Sequence, residues 1–153
     1  MTKMRLLFMA MAIVLAGTVF ARAGESAPAK GVEVSFDFHR KGGTGTNQYA
    51  IWIEDADGKF IKTVFVTSFT TVRGGWRFRQ ENLPKWVEAS NVAKMPRKKM
   101  DAISGATPGN RKVVKVWDLT DEDGDLVHPG DYTVYLEGTL RRENQVLYRA
   151  QIY

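Results

Sequence analysis

Residues 113–140 read VVKVWDLTDEDGDLVHPGDYTVYLEGTL, and their pattern decides the fold. An apolar run closes on Trp117-Asp118, meets Asp123-Gly124, and passes the corner Pro129-Gly130-x-Tyr132. It then alternates through Val134 and Leu136. Alternation bounded by Asp-Gly and Pro-Gly marks strands joined by tight turns. The stretch predicts strand, acidic turn, corner, strand. The same grammar recurs upstream. Residues 32–38 (VEVSFDF) alternate strictly, with Val32, Val34, Phe36 and Phe38 on one face, as a half-buried strand requires. Residues 49–54 make a second strand, which Asp55-Ala56-Asp57-Gly58 turns into a third over 60–69. Trp52…Asp57-Gly58 echoes Trp117…Asp123-Gly124; this reads as two similar hairpins, not a repeat architecture.

The remaining segments are less regular. Gly74-Gly75 interrupts the chain, and Trp76-Arg77-Phe78-Arg79 reads as an alternating, edge-like segment. Residues 83–91 predict one or two helical turns, opened by Pro84 near the first position. Residues 94–99 read as a basic loop, 101–107 as a flexible loop, and 146–153 as a final strand. Six or seven short strands at turn-punctuated spacing, with almost no helical periodicity, predict an all-β, single antiparallel sandwich.

The N-terminus supplies an address. A short basic head with Lys3 and Arg5, an apolar run over residues 6–20 and the site Ala21-Arg22-Ala23 together read as a cleavable secretory signal over 1–23. The run is too short for a comfortable membrane span, so the cleaved chain is not expected to span a membrane. With no cysteine after the run, a lipoprotein anchor is excluded. Residues 24–31 read as a flexible leader and 32–153 as the folded domain.

Of the 153 residues, removing 23 leaves 130, enough for a domain that buries about two-thirds of its unfolded surface. The formal charge of +5 is partly the signal's. Without Lys3, Arg5 and Arg22, 19 basic residues face 17 acidic ones, a balance that excludes nucleic acid as an expected partner. Zero cysteines exclude disulfides, thiolate ligands and cysteine nucleophiles. Stability must come from the core alone, which suits the bacterial periplasm.

Several constellations resolve into plain structure. Setting Gly124 at the sixth position of a calcium loop puts Leu119 first and Gly130 twelfth; neither donates a side-chain oxygen. The same test on Gly58 fails at Ile53 and Val64. His39 and His128 have no partner at metal spacing, and no G-x-S-x-G motif is present. No catalytic constellation emerges, so an enzyme is not expected. Arg40-Lys41 precede Gly42-Gly43-Thr44-Gly45-Thr46, a glycine loop whose amides are able to cradle an anion. Its spacing is not that of a nucleotide-binding P-loop. Trp76-Arg77-Phe78-Arg79 interleaves cations and aromatics, a stacking surface for a flat ligand.

The sharpest signal is Asp101-Ala102-Ile103-Ser104-Gly105-Ala106-Thr107. It is small, flexible and polar, which another protein's active site can grip. Thr107 offers a hydroxyl, Asp101 a carboxylate, and Arg97, Lys98 and Lys99 charge for a phosphate.

This motif resembles the D-x-x-[ST]-G-A-T acceptor of proteins that receive FMN from an ApbE-type flavin transferase. The resemblance implies that Thr107 carries the flavin through a phosphoester, that Asp101 assists the transfer, and that the protein moves electrons outside the cytoplasm. From about residue 32 to the C-terminus, the chain also resembles a family of predicted periplasmic proteins labelled domain of unknown function 2271. That likeness rests on residues 47–55 (NQYAIWIED), Gly75-Trp76-Arg77, Leu83-Pro84-x-Trp86, the Asp101 motif and Glu137-Gly138-Thr139. Members are linked with flavin transfer and PepSY-type membrane reductases, which implies a redox or iron-related setting. The stretch Trp117-Asp118…Gly124…Pro129-Gly130-x-Tyr132 is similar to the immunoglobulin-like domain of the FlgD hook-capping family. It implies that the sandwich is immunoglobulin-like and says nothing of flagella.

The expectation is thus an exported periplasmic accessory protein that carries FMN on Thr107, with Ser104, Gly105 and Ala106 completing the motif. Lys98, Lys99 and the Arg40-Lys41 loop stand as phosphate neighbours and Trp76 as a ring-stacking partner. The transferase and the membrane reductase are the expected partners. One alternative is a cofactor-free interaction module docking on a membrane complex. Another is a sandwich that binds a sugar or other ligand through its tryptophans.

Overall fold

A computed structural model describes residues 31–42, 47–79, 81–139 and 144–153. The expected signal over 1–23, the leader up to residue 30 and residues 43–46 of the glycine loop lie outside the described residues. The strands are β1 (Val32–Phe38), β2 (Gln48–Asp55), β3 (Phe60–Thr67), β4 (Ser104–Gly105), β5 (Arg111–Trp117), β6 (Tyr132–Thr139) and β7 (Gln145–Ile152). Three short helices, α1 (Gly75–Phe78), α2 (Pro84–Ser90) and α3 (Arg97–Ile103), lie between β3 and β4. The protein is mostly β, as its alternation predicts.

Two sheets form. One is the pair β1–β5; the other has five strands in the order β4-β3-β2-β6-β7. The alternation of β1 turns Val34, Phe36 and Phe38 inward, where they meet Tyr49, Ile51 and Ile53 of β2 and Val134 and Leu136 of β6. The two sheets therefore pack face to face. Phe36 meets Tyr49 edge-on at 5.4 Å, and Tyr49 stacks on Phe65 at 5.0 Å.

The opening stretch folds as its turns dictate. Tyr132 Oη donates to the His128 carbonyl at 2.6 Å across the Pro-Gly corner, and its ring sits edge-on to Trp117 at 5.3 Å. The two acidic turns are hydrogen-bonded alike, but only the first joins paired strands: β5 and β6 lie in different sheets, and the second turn closes only the single Thr120–Leu126 bridge. Asp55 Oδ1 accepts the amides of Asp57 and Lys59, while Asp121 Oδ1 accepts those of Asp123 and Asp125. Gly58 and Gly124 take φ of 77° and 92°, a region open to glycine at little cost.

The other face of the five-stranded sheet departs from expectation, because helices cover it. Ala50 and Trp52 of β2 and Val66 of β3 pack there with Leu83, Trp86 and Val92. β2 is thus buried on both faces, as a central strand between two layers should be. The expected turns over residues 83–91 are realised as α2, with Pro84 in its first turn. Two segments read differently from the sequence. Residues 76–79, expected as an edge strand, begin instead inside the helical turn α1, which follows Gly74 at φ 74°. Four residues of alternation are too few to separate a strand from one helical turn. Residues 94–99, expected as a basic loop, run from a 3-10 turn into α3. Lys94, Arg97 and Lys98 are exposed, Lys99 is half-buried against Glu122, and Met100 and Ile103 pack on the second core.

Candidate functional site

The segment read as a flexible loop over 101–107 is largely built. Asp101, Ala102 and Ile103 close α3, and Ser104-Gly105 form β4, which pairs with Val66 and Thr67 of β3. That pairing is parallel, against the expected all-antiparallel sandwich. A parallel neighbour needs a long crossover, and the helical segment between β3 and β4 supplies it. Ser104 Oγ donates to the Met100 carbonyl and shares a hydrogen bond with Thr71 Oγ1. The amide of Ser68 donates to the Gly105 carbonyl at 2.8 Å. Gly105 is demanded by close approach: a Cβ there would stand 2.6 Å from the Phe65 ring.

Beyond β4 the backbone leaves the sheet. Ala106 is exposed, Thr107 half-buried and Pro108 buried. Among the described residues no hydrogen bond engages the Thr107 hydroxyl. Asn110 Oδ1 then accepts the amide of Arg40 at 2.7 Å. Lys41 donates its amide to Asn47 Oδ1 at 2.9 Å. Exposed Ala106 and half-buried Thr107 lie between two anchors, the β4 pairing and the buried Pro108. The Asn110 contact brings the motif's end to the base of the glycine loop, 70 positions away in sequence.

Cations gather at this end of the molecule. Arg40 and Lys41 are exposed, and Arg111, opposite Phe38 in the β1–β5 pair, is exposed as well. Burial pushes the Tyr49 phenol up to about 12, with Arg111 pulling it back. Burial also lowers the Lys115 ammonium, and Arg111 adds to that effect; Lys115 Nζ sits 3.9 Å from the Phe65 ring centre.

Of the other expected site residues, none makes a hydrogen bond to Thr107 among the described residues. Lys99 Nζ is paired with Glu122 Oε2 at 2.9 Å, and the Glu122 amide donates to Ile61 at the start of β3. Gly105 pairs at Thr67. The Lys99 ammonium is thus engaged by Glu122 beside the far end of β3. It lines a cleft of about 360 Å³ with Lys62, Asp118 and Glu122. There, hydrogen bonds from Lys62 and Thr120 hold the Asp118 carboxyl down at about 2. Lys98 is exposed on α3. Trp76 packs partly buried against the second core, with Arg77 over its ring at 4.8 Å. The sequence reading missed Asn110, because its contact with Arg40 exists only through tertiary pairing of β1 with β5.

Two facing sheets with a helical cover define a class of mostly-β domains. The family model described as "Predicted periplasmic protein (DUF2271)" matches residues 29–153, and the chain belongs to that family. Its compartment is the periplasm, in agreement with the secretory signal read from the sequence. No curated protein and no solved structure matches the chain. Among the described residues no helix is long and apolar enough to cross a membrane.

Proposed function

We propose that the protein is a periplasmic accessory that carries FMN as a phosphoester on Thr107, attached by an ApbE-type transferase, and exchanges electrons with a PepSY-type membrane reductase. The supporting observation is the Thr107 hydroxyl. It lies on a half-buried residue of a short segment between two anchors, and no hydrogen bond engages it among the described residues. Its neighbourhood fits a phosphoester, since Arg40, Lys41 and Arg111 supply positive charge at the same end of the molecule. In the attachment, Thr107 Oγ1 gains the bond to phosphorus and loses its proton. The pyrophosphate bond of a flavin dinucleotide donor breaks, and the adenylate leaves. Flavin supplies the redox chemistry when bound; this chain supplies position and charge. Ser104 and Gly105 hold the segment against β3, and Asp101 lies exposed at the end of α3, open to the transferase.

The immunoglobulin-like grouping belongs to this reading. The facing sheets and the Tyr132 corner support it, whereas the split into five and two strands and the helical cover are additions. The intact mass of the protein purified from its native host, beside Thr107→Ala, tests the proposal. An FMN-sized increment lost in the variant is expected. A native protein without that increment overturns it.

A second reading, a cofactor-free module that docks on a membrane complex, is favoured by the edge of β7, which no strand pairs among the described residues and where Val146 and Leu147 are exposed. It predicts that Asp101 and Thr107 are replaceable without loss of function.

A further inference from the structure

The helices cover only part of their face of the five-stranded sheet. Directly paired residues of neighbouring antiparallel strands point to the same side. Trp52 of β2 therefore shares a side with Tyr135 of β6 and Arg149 of β7, and Glu54 with Thr133 and Gln151. One row further along, Glu137 lies under α2, whose amides it accepts. The rows of Tyr135 and Thr133 extend past the helix into two adjoining clefts of about 360 and 390 Å³. Tyr135 borders both.

The shelf has a stiff aromatic floor. Tyr135 stacks on Trp52 at 5.0 Å with 10° between the planes, and Trp52 Nε1 donates to Glu54 Oε1 at 2.8 Å. Burial raises the Tyr135 phenol, and the neighbouring Glu54 carboxylate raises it further while Arg149 opposes. Tyr135 thus stands between the Glu54 carboxylate, which lines one cleft with it, and the Arg149 guanidinium, which lines the other. Around them stand Thr133 and Gln151 on one side and Phe60 and Leu147 on the other. Charges cancel: Glu54 and Glu88 face Arg149 and Lys85, and Lys85 pairs with Glu88 at 3.3 Å.

We propose that this shelf binds an uncharged oligosaccharide, with a pyranose ring laid against Tyr135 and its hydroxyls taken by Glu54, Arg149, Gln151 and Thr133. Sugars offer an apolar C–H face to an aromatic ring and a rim of hydroxyls to planar side chains. An acceptor such as Glu54, a donor fork such as Arg149 and an amide such as Gln151 match both roles of a hydroxyl. Cancelled charge disfavours phosphate, nucleic acid or an anionic lipid surface, each of which needs a net positive patch. The open form suits an extended chain. The site lies toward the Asp55 end of β2, while Thr107 lies toward its Gln48 end, so the two proposals stand or fall separately.

The test titrates the mature periplasmic protein with a β-1,4-linked N-acetylglucosamine tetramer and, separately, with maltotetraose. Tryptophan fluorescence and calorimetry give the readout. Saturable binding of either sugar is expected at concentrations up to about 10 mM, and the one that binds assigns the preferred linkage and C2 substituent. Tyr135→Ala should weaken it at least about tenfold and Gln151→Ala about threefold; Lys62→Ala, in the other cleft, should leave it unchanged. Should Tyr135→Ala fail to fold by far-ultraviolet circular dichroism, Arg149→Ala and Gln151→Ala carry the comparison. The proposal is overturned if neither sugar saturates, or if binding stays within about twofold of the native protein when these shelf residues are replaced.

Discussion

The two faces of the five-stranded sheet are held by different means. Toward β1–β5, the interface is aromatic and aliphatic, with Phe36, Phe38, Tyr49 and Phe65 in ring contact. Toward the helices, it is studded with buried polar groups. Glu137 accepts the amides of Lys85 and Trp86 at 3.2 and 2.8 Å, Thr139 Oγ1 accepts that of Leu83 at 3.1 Å, and Thr63 Oγ1 accepts Trp86 Nε1 at 3.0 Å. The helices explain the contrast. α2 has seven residues and no side-chain cap of its own, and Leu83 before it is in the left-handed region at φ 51°. So short a helix is not stable alone, and its first amides need acceptors. The sheet supplies them from β6. One face is therefore held by shape, the other by hydrogen bonds around the buried Trp86.

Trp86→Ala should break the comparison most severely. It removes the anchor of the helical side and orphans Thr63, at a cost of about 3–5 kcal/mol. Urea unfolding measures the loss, and amide exchange should show α2 opening while β1 and β5 stay protected. Equal opening on both faces would mean the two layers are one unit.

Gly105→Ala probes the dry face. A methyl group driven into the Phe65 ring should cost about 1–3 kcal/mol and release β4 from β3, read as faster amide exchange at Ser68.

Glu137→Ala probes the polar face without touching the packing of Trp86, and should cost about 1–3 kcal/mol by leaving buried amides unmatched. Its pH dependence sharpens the point. Burial raises the Glu137 carboxyl above its ordinary 4.5, against the pull of the Trp86 and Lys85 amides and the Lys85 charge. A raised acid stabilises fully below its unfolded value and loses that contribution as pH rises through the folded one. The gap between native protein and variant, from urea midpoints, should therefore shrink from pH 4 toward neutrality.

The smallest effect belongs to the surface. Asp118 is held down at about 2 by Lys62 and Thr120, so its contribution is present above its ordinary 3.8 and fades as pH falls through 2. With the Asp118 side chain 61% exposed, solvent screening limits Asp118→Asn to no more than about 1 kcal/mol. Thermal melts at low and high salt should show that difference closing with salt.

How far the sequence reaches differs between these faces. The strands that bury one side in period two were legible, and so were both Asp-Gly turns and the Pro-Gly corner, because each is a local constraint on backbone and side-chain direction. α2 was legible through Pro84. α1 and α3 were not, since four residues of Trp-Arg-Phe-Arg and a basic run carry no period long enough to identify a helix. The Asp101 motif was found as a motif, but its division into helix, strand and connecting segment was not. Nothing in Ser104-Gly105 announces a parallel partner in Val66-Thr67. Lys99 looked available for a phosphate by proximity in sequence, and Glu122 engages it.

Local chemistry in the chain was enough to specify an exported, mostly-β protein with a hydroxyl-bearing motif, because turn residues and alternation act over a few positions. Folding alone decided which strands lie side by side, which carboxylate caps α2 and which residue meets Asn110. It also decided that Tyr135, Glu54 and Arg149 share one shelf. Those relations join residues tens of positions apart, and only the closing of the sheets brings them within reach.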